Sequence, residues 1–275
     1  NIISVHDVGI DKGGKPYFTM DLKAGDGLDV VLQKALADGG CPLSDRLEIF
    51  LKVCDAITYA HSRDVIHLDL KPANIQVGHY GEVLVCDWGL AKLIGDTDEI
   101  DDDVLLNPDL LSGMTVYGKV KGTPGYMAPE QIRGGTRDKR TDIYALGVIF
   151  YQLLTGHVPF AAETPQGTMM AHLIDPIPNA TALFPELHIH PEATRLVSDC
   201  LVKDPEKRLP SSEALSARIK ELTLKLELDG TASSSAHAQH TDVDIEAIEE
   251  ASPLSAPPSA HSSSRPPDVV TKETS

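Results

Sequence analysis

Long hydrophobic runs and paired cysteines are both missing from this chain of 275 residues. The longest apolar stretch, residues 144–154, falls short of the about 18 apolar residues that a membrane-spanning helix needs. The four cysteines are scattered and never spaced as C-x-x-C, which argues against a zinc site and a disulfide framework. We therefore expect this chain to contain no membrane segment and to lie in a reducing, cytoplasmic compartment. A membrane anchor outside these residues stays an open alternative.

Basic side chains are outnumbered, because 24 Lys and Arg stand against 41 Asp and Glu and give a formal net charge of −17 at pH 7. This balance disfavours nucleic-acid binding through a basic surface. Much of the negative charge lies in residues 96–103 and in the C-terminal tail, residues 227–275. The tail is rich in Ser, Ala and Pro and has few aromatics, so we expect it to be disordered. Its run from Val243 to Ile248 leaves open a helix that forms on a partner.

Apolar periodicity predicts a protein made mostly of helices that follow a short β-hairpin. The hairpin consists of residues 1–9 and 15–22, with a turn at residues 11–14. Ser44 is expected to cap the second predicted helix, and the nearly all-apolar fifteen-residue helix near the middle should be buried on every side. Helices are predicted over residues 27–37, 43–61, 141–155, 166–174, 191–202 and 211–226, and short strands over residues 75–77 and 83–86.

Two carboxylates and an amide stand in the segments between these elements. Asp69 and Asn74 lie on a loop after the second predicted helix, and Asp87 directly follows the strand at residues 83–86. A carboxylate just outside a strand can accept a proton from a hydroxyl group, and a second carboxylate with an amide oxygen supplies ligands for Mg²⁺. The pattern indicates chemistry on a metal-bound triphosphate.

Three sequence blocks resemble the signature of the eukaryotic-type (Hanks-type) serine/threonine protein kinases. They are His67–Asn74, Asp87–Gly89 and Ala128–Glu130, in the order and spacing of H-R-D-L-x-x-x-N, D-F-G and A-P-E. The resemblance covers about residues 1–225 and implies a protein-kinase-like α+β fold with a mostly helical large lobe. Residues 1–24 would then be the remnant of the small lobe with the hinge, and residues 25–226 the large lobe. The sequence before the second block also looks bacterial.

The resemblance implies that the γ-phosphoryl group of ATP is transferred to Ser or Thr hydroxyls of protein substrates, with Mg²⁺ as cofactor. Asp69 would orient and deprotonate the acceptor hydroxyl, Lys71 would offset charge on the phosphoryl group, and Thr123 would hydrogen-bond both. Asn74 and Asp87 would bind Mg²⁺. Taken singly, these residues have ordinary alternatives as turn formers, a surface lysine and an Asx-turn cap. Their combination favours the catalytic interpretation.

For the nucleotide, the resemblance points to the hinge that follows the hairpin. Met20 would be the gatekeeper, and the backbone of Asp21 and Lys23 would contact the adenine base. Asp26 is the candidate for the ribose hydroxyls. Gln76 would lie beneath the base, where an aliphatic side chain is usual in the family, and a polar side chain there weakens the predicted adenine site.

Five further residues are expected to support the site without reacting. His67 and Trp88 would pack together and hold the loop in register. Glu130 and Arg208 would form a buried ion pair, and Asp142 would accept hydrogen bonds from backbone N–H groups of the loop.

Parts of the family pattern are missing from the sequence, because no glycine-rich loop, strand lysine or helix glutamate precedes the first block. We therefore expect a catalytic domain truncated at its N-terminus, with little or no turnover on its own. Leu68 replaces the arginine that usually grips a phosphorylated activation segment, so activity should not depend on phosphate bound there. The acidic residues 96–103 are either a solvated insert or a mask over the cleft. A pseudokinase-like binding or scaffold module without phosphotransfer stays open as the second function.

Overall fold

The computed structural model describes residues 1–10, 12–13, 15–21, 25–38, 41–94 and 122–238. The predicted hinge residue Lys23, the acidic residues 96–103 and the tail beyond Ala238 lie outside the described residues. The chain divides into two units, Asn1–Gly230 and Thr231–Ser275. The first contains every candidate site residue, and of the second only the helical residues up to Ala238 are described.

An antiparallel hairpin opens the chain, as the sequence predicts. Strands β1 (Val5–Ile10) and β2 (Pro16–Met20) pair with Val5 opposite Met20 and Ile10 opposite Pro16. The turn that joins them contains Gly13, in the position where the sequence places a tight reversal.

Two further small sheets frame the candidate site. In a three-stranded sheet, the strand Ile75–Val77 lies between two antiparallel neighbours, with Ile75 opposite Val85 and Gln76 opposite Gly27. A separate two-stranded pair flanks the segment that follows the second helix. The strands are β3 (Asp26–Gly27), β4 (Val65–Ile66), β5 (Ile75–Val77), β6 (Val83–Val85) and β7 (Lys92–Leu93).

Helices form most of the remaining structure. Among the described residues, none of them combines the length and the apolar character that crossing a lipid bilayer requires. Long helices and small sheets together confirm the predicted α+β class. The helices are α1 (Leu28–Asp38), α2 (Leu43–Ser62), α3 (Pro129–Ile132), α4 (Lys139–Thr155), α5 (Pro165–Ile174), α6 (Ala180–Leu183), α7 (Pro191–Cys200) and α8 (Ser212–Ala238).

The ends of three helices differ from the prediction. Pro42, not Ser44, precedes α2, and the Ser44 hydroxyl donates instead to the carboxylate of Asp45 within the first turn. Helix α4 begins earlier than predicted because the Asp138 side chain accepts from the backbone N–H of Arg140 and caps the helix there. Helix α8 continues to residue 238 rather than ending at residue 226.

Helix α4 is the centre of the core, and nearly all of its side chains are buried. Phe150 of α4 stacks on Phe50 of α2, with ring centroids 5.2 Å apart. Gly147 allows close approach to α7, since a Cβ atom at this position would lie only 2.5 Å from the Cβ atom of Cys200. The core therefore fixes α2 and α4 against each other, and these two helices carry the loop on which the site is built.

Candidate active site

The Asp142 carboxylate holds the loop that carries Asp69 by accepting hydrogen bonds from the loop backbone. Asp142 Oδ2 accepts from the backbone N–H of His67 at 2.8 Å, and Asp142 Oδ1 accepts from that of Leu68 at 2.9 Å. Leu68 is buried with a φ of 67°, a strained conformation for a leucine that persists only where neighbours impose it. The hydrogen bonds expected of Asp142 are thus present, and they force the loop through a tight reversal just before Asp69.

Two residues that the sequence analysis did not single out complete this support. His61, at the end of α2, bonds through Nε2 to Asp142 Oδ2 at 2.9 Å. Gln131 Nε2 donates to the Leu68 carbonyl at 2.8 Å. In the sequence, His61 lies on the apolar stripe of α2 and Gln131 simply follows Glu130, so no pattern marks either of them.

Four of the predicted residues meet at the Asp69 carboxylate, which is 10% exposed. Asp69 Oδ2 accepts from Lys71 Nζ at 2.8 Å and from Asn74 Nδ2 at 3.3 Å. Asp69 Oδ1 accepts from the backbone N–H of Thr123 at 3.1 Å and from its hydroxyl at 3.0 Å. Lys71 Nζ also donates to Thr123 Oγ1 at 2.7 Å. Asp69, Lys71 and Thr123 therefore form a closed triangle of charge-assisted hydrogen bonds.

Asn74 and Asp87 stand at adjoining ends of two paired strands, Asn74 directly before β5 and Asp87 two residues after the end of β6. The backbone N–H of Cys86 donates to the Asn74 carbonyl at 2.8 Å, which places the residue after Cys86 next to Asn74. Asp87 is exposed and has a φ of 59°, and Gly89 leaves room for its carboxylate, since a Cβ atom there would lie 3.3 Å from Asp87 Oδ1. The nitrogen of the Asn74 amide is turned to Asp69, so the amide oxygen faces away from that carboxylate.

A carboxylate and an amide oxygen are the donors that Mg²⁺ prefers, so this pair fits a magnesium ion. Within the described part of the chain, no group of three or more His, Cys, Asp or Glu side chains is arranged to hold a metal. A cation held by Asn74 and Asp87 would keep coordination positions for phosphate oxygens and water.

His67 connects the two acidic residues of the site. Its Nδ1 atom accepts from the backbone N–H of Asp69 at 3.3 Å, which leaves the proton on Nε2 to donate to the Cys86 carbonyl at 3.1 Å. Its ring contacts that of Trp88 with centroids 4.5 Å apart, and Trp88 Nε1 donates to the Val85 carbonyl at 3.1 Å. The packed pair expected of His67 and Trp88 is present, and it fixes the spacing between Asp69 and Asp87.

Glu130 and Arg208 form the expected bidentate ion pair. Arg208 Nη1 donates to Glu130 Oε1 at 2.8 Å and Arg208 Nη2 to Oε2 at 3.0 Å, and both side chains are buried. The guanidinium also donates to the carbonyls of Val202 and Arg140. The segment that ends at Glu130 is thereby anchored to the turn before α8.

Of the residues expected at the hinge, Met20 and Asp21 are described and Lys23 is not. Met20 ends β2 opposite Val5 and is half exposed. The Asp21 carboxylate lies 2.7 Å from His6 Nε2 of β1. Met20 belongs to the hairpin and Asp21 directly follows it, so neither lies in the three-stranded sheet that contains Gln76.

Asp26 and Gln76 belong to the three-stranded sheet, on neighbouring strands. Asp26 pairs with Lys34 of α1 at 2.5 Å, and this hydrogen bond lowers the pKa of the Asp26 carboxyl. Gln76 is the second residue of β5, the strand that begins directly after Asn74, and it lies opposite Gly27 of β3. The structure thus brings Gln76 close to the Asn74 end of the site, with Asp26 at the edge of the same sheet.

Comparison with known proteins gives a consistent result. A family model described as "Protein kinase domain" matches residues 1–218. The serine/threonine-protein kinase PknD of Chlamydia caviae is 42% identical over 177 residues, which cover 64% of this chain and 19% of that protein. The serine/threonine-protein kinase pkn3 of Myxococcus xanthus is 38% identical over 226 residues, 80% of this chain and 38% of that protein. PknB of Mycolicibacterium smegmatis is 32% identical over 222 residues, 78% of this chain and 32% of that protein. The chain thus spans well under half of the length of these relatives.

Proposed function

The chain belongs to the protein kinase family, and on this premise we propose that it forms most of the catalytic domain of a bacterial serine/threonine kinase. Residues 25–226 would be its large lobe and residues 1–24 the hinge with the adjoining strands of the small lobe. The observation that carries the proposal is the triangle formed by Asp69, Lys71 and Thr123. Such a triangle fixes one carboxylate where an acceptor hydroxyl can approach it.

Asp69 is the proposed proton acceptor. A serine or threonine hydroxyl of the protein substrate donates to the Asp69 carboxylate, and its proton moves there as the oxygen–phosphorus bond forms. The bond between the γ-phosphorus of ATP and its bridging oxygen breaks at the same time, and ADP leaves. Positioning and electrostatics supply most of the rate enhancement in such reactions.

Lys71 and Thr123 assist this transfer, Lys71 through its charge and Thr123 through its hydrogen bonds. The Lys71 ammonium stands 2.8 Å from the Asp69 carboxylate, from where it offsets negative charge on the phosphoryl group as it moves. The Thr123 hydroxyl donates to Asp69 and accepts from Lys71, so it holds the two in one orientation.

Asn74 and Asp87 would hold the magnesium ion through their side-chain oxygens. When bound, Mg²⁺ would offset the negative charge of the nucleotide phosphates. The contribution of the chain itself is to fix the two ligands next to Asp69 through His67 and the backbone bond from Cys86 to Asn74.

We assign the adenine base and the ribose of ATP to the hinge and to the neighbouring three-stranded sheet. Met20 and the backbone of Asp21 and Lys23 would contact the adenine base, with Gln76 beneath it. Asp26, whose carboxylate pairs with Lys34, would accept from the ribose hydroxyls. The second function, a binding module without phosphotransfer, gains no support from the relatives, which are named as kinases.

The proposal is tested by identifying the amino acids that receive the phosphoryl group. The full-length protein is incubated with ATP labelled at the γ-phosphate and a mixture of candidate protein substrates, and the phosphorylated amino acids are identified after hydrolysis. We expect label on serine and threonine. ATP binding without any transfer would instead support the binding module, and label on tyrosine would contradict the assigned class.

A further inference from the structure

Two positively charged side chains, Arg133 and Lys203, lie together at the surface without a carboxylate partner. Arg133 directly follows α3 and is exposed, and Lys203 lies in the segment between α7 and α8 and is partly exposed. Among the described residues, no Asp or Glu lies within ion-pair distance of either side chain, whereas their neighbours Arg140 and Arg208 are both paired. The positive charge of these two residues is therefore not balanced by an ion pair in this part of the protein.

Both residues stand next to the buried pair formed by Glu130 and Arg208. Arg133 comes three residues after Glu130, about one helical turn further along α3. Lys203 Nζ lies 3.5 Å from the Tyr144 hydroxyl and 5.9 Å from the centroid of its ring, and the guanidinium of Arg208 lies 5.0 Å from the same centroid. Glu130 is occupied by Arg208, so it does not neutralise the other two cations.

The protein itself does not relieve the repulsion within this group. Burial, together with the charges of Arg133 and Arg208, lowers the pKa of the Lys203 ammonium to about 8, although Asp175 acts in the opposite direction. The ammonium lies 3.8 Å from the centroid of the Phe160 ring, so an aromatic face stabilises its charge in place of an ion pair. An anion brought to Arg133 and Lys203 would offset this repulsion.

A protein substrate bound at Asp69 can reach these two cations. Gln131 of α3 donates to the carbonyl of Leu68, which directly precedes Asp69. With one glutamine side chain and two residues of helix added to this contact, the backbones of Arg133 and Asp69 lie at most roughly 15 Å apart. An extended chain covers about 3.3 Å per residue, so this distance corresponds to about three to five residues of a bound peptide.

We propose that Arg133 and Lys203 bind an acidic side chain of the protein substrate, about three to five residues from the acceptor hydroxyl. The inference rests on the proposed kinase function and adds the substrate class, namely proteins that carry an Asp or Glu at that distance. The guanidinium of Arg133 can donate two parallel hydrogen bonds to a carboxylate, and Lys203 adds a second positive charge.

The experiment assays the full-length protein with ATP and a peptide library. Each peptide has a central serine, one other position fixed as Glu, Gln or Lys, and a mixture of residues elsewhere. At one position on one side of the serine, about three to five residues away, we expect Glu to raise the transfer rate about fivefold to twentyfold over Gln, and Lys to lower it. For the preferred peptide the gain should lie in KM, with kcat changed by less than about twofold, because the contact is remote from the reacting atoms.

Arg133→Glu reverses the charge at an exposed position, and Arg195→Glu makes the same change on α7, at a side chain that is 74% exposed. The first variant should prefer Lys over Glu at the same peptide position, and the second should keep the preference for Glu. Arg133→Met, which only removes the charge, should abolish the preference and applies even where the reversed charge disturbs Glu130 and Arg208. Equal rates with Glu and Gln at every position, or an unchanged preference in the Arg133 variants, would overturn the proposal.

The outcomes separate this inference from the function on which it rests. Transfer to serine without any preference for Glu overturns the acidic-side-chain site and leaves the kinase function intact. Absence of transfer to every peptide and to every protein substrate contradicts the kinase function, and this inference fails with it.

Discussion

Thr123 is the residue that links the proton acceptor and the cation of the site. Its hydroxyl donates to Asp69 and accepts from Lys71, while its backbone N–H donates to Asp69 as well. Removal of the hydroxyl therefore leaves Asp69 with one of its two bonds to this residue. Asp69 and Lys71 then lose the group that holds them in a common orientation.

Thr123→Val, which keeps the shape and removes the hydroxyl, should lower kcat by about tenfold to a hundredfold, because small displacements of a catalytic group are costly. The KM for ATP should change by less than about threefold, since Thr123 is not assigned to the nucleotide. Thr123→Ser keeps the hydroxyl and is the matched control. Equal rates for the two variants, measured by steady-state phosphotransfer, would contradict this role.

We predict that His172 makes a contribution to the stability of the folded protein that is lost in acid. Its ring is fully buried, and its Nδ1 atom lies 2.9 Å from the Tyr144 hydroxyl. Burial, aided by the charge of Lys203, lowers the pKa of His172 from 6.5 to about 4. The folded state therefore holds His172 neutral, and the unfolded state binds its proton first as the pH falls.

The contribution of His172 is accordingly complete above pH 6.5 and lost as the pH falls towards about 4. Over this range we expect a loss of up to about 3 kcal/mol from the free energy of unfolding. His172→Gln, which cannot titrate, should be less stable at pH 7 but lose less stability over the same range. Urea unfolding of both proteins at several pH values measures the difference in slope, and parallel pH dependences would contradict the account.

At the scale of elements, α4 and α7 can approach each other closely because Gly147 has no side chain. A Cβ atom at Gly147 would lie 2.5 Å from the Cβ atom of Cys200 and 3.1 Å from the Leu201 side chain. Cys200 ends α7 and Leu201 follows it, and both side chains are fully buried, so they cannot move away cheaply.

Gly147→Ala should therefore lower the free energy of unfolding by about 1–3 kcal/mol through overpacking. This loss would occur even though alanine favours an isolated helix over glycine by about 1 kcal/mol. Chemical denaturation of the variant measures the sign. An increase in stability would show that the two helices separate without penalty and would contradict the close packing.

The existence of the longer helices could be predicted from periodicity, whereas several helix ends and the shortest helices and strands could not. The apolar stripe of α2 and the all-apolar α4 identify these helices in the sequence, because burial on one or all sides dictates their pattern. The start of α4 depends on whether Asp138 or a later residue caps it, and both choices are compatible with the sequence. The last turns of α8 lack an apolar stripe, so their helical state left no periodic signal.

At the scale of the whole molecule, the Glu130–Arg208 pair connects the segment after Thr123 with the helices at the C-terminal side. Its buried guanidinium is also bonded to the carbonyls of Val202 and Arg140. Removal of one partner leaves an uncompensated buried charge, which costs much more than the pair itself contributes.

Arg208→Met should lower the free energy of unfolding by about 3–5 kcal/mol. Arg195→Met is the control, because Arg195 pairs with Glu192 at the surface with its side chain 74% exposed, and it should change stability by less than about 0.5 kcal/mol. Urea unfolding of the two variants tests the contrast. Similar, small losses in both would show that the buried pair does not anchor this segment.

The main residues of the candidate site could be predicted from the sequence alone. The spacing of Asp69, Asn74 and Asp87 and the resemblance of the blocks around them indicated one site, and the structure brings these residues together with Thr123. The supports from His61 and Gln131 could not be predicted, because each depends on packing between elements that are distant in the chain. Lys23 of the predicted hinge lies outside the described residues and stays a prediction.

The most direct test of the account is the rate of γ-phosphoryl transfer from ATP to a protein substrate by the full-length protein and its Asp69→Asn variant. Asparagine keeps the shape of the side chain but cannot take up the proton, so kcat should fall by about 10² to 10⁴-fold while ATP still binds. Asp64→Asn makes the same change at an exposed carboxylate and should leave the rate unchanged. Undiminished transfer by Asp69→Asn would contradict the central claim that this carboxylate receives the proton of the acceptor hydroxyl.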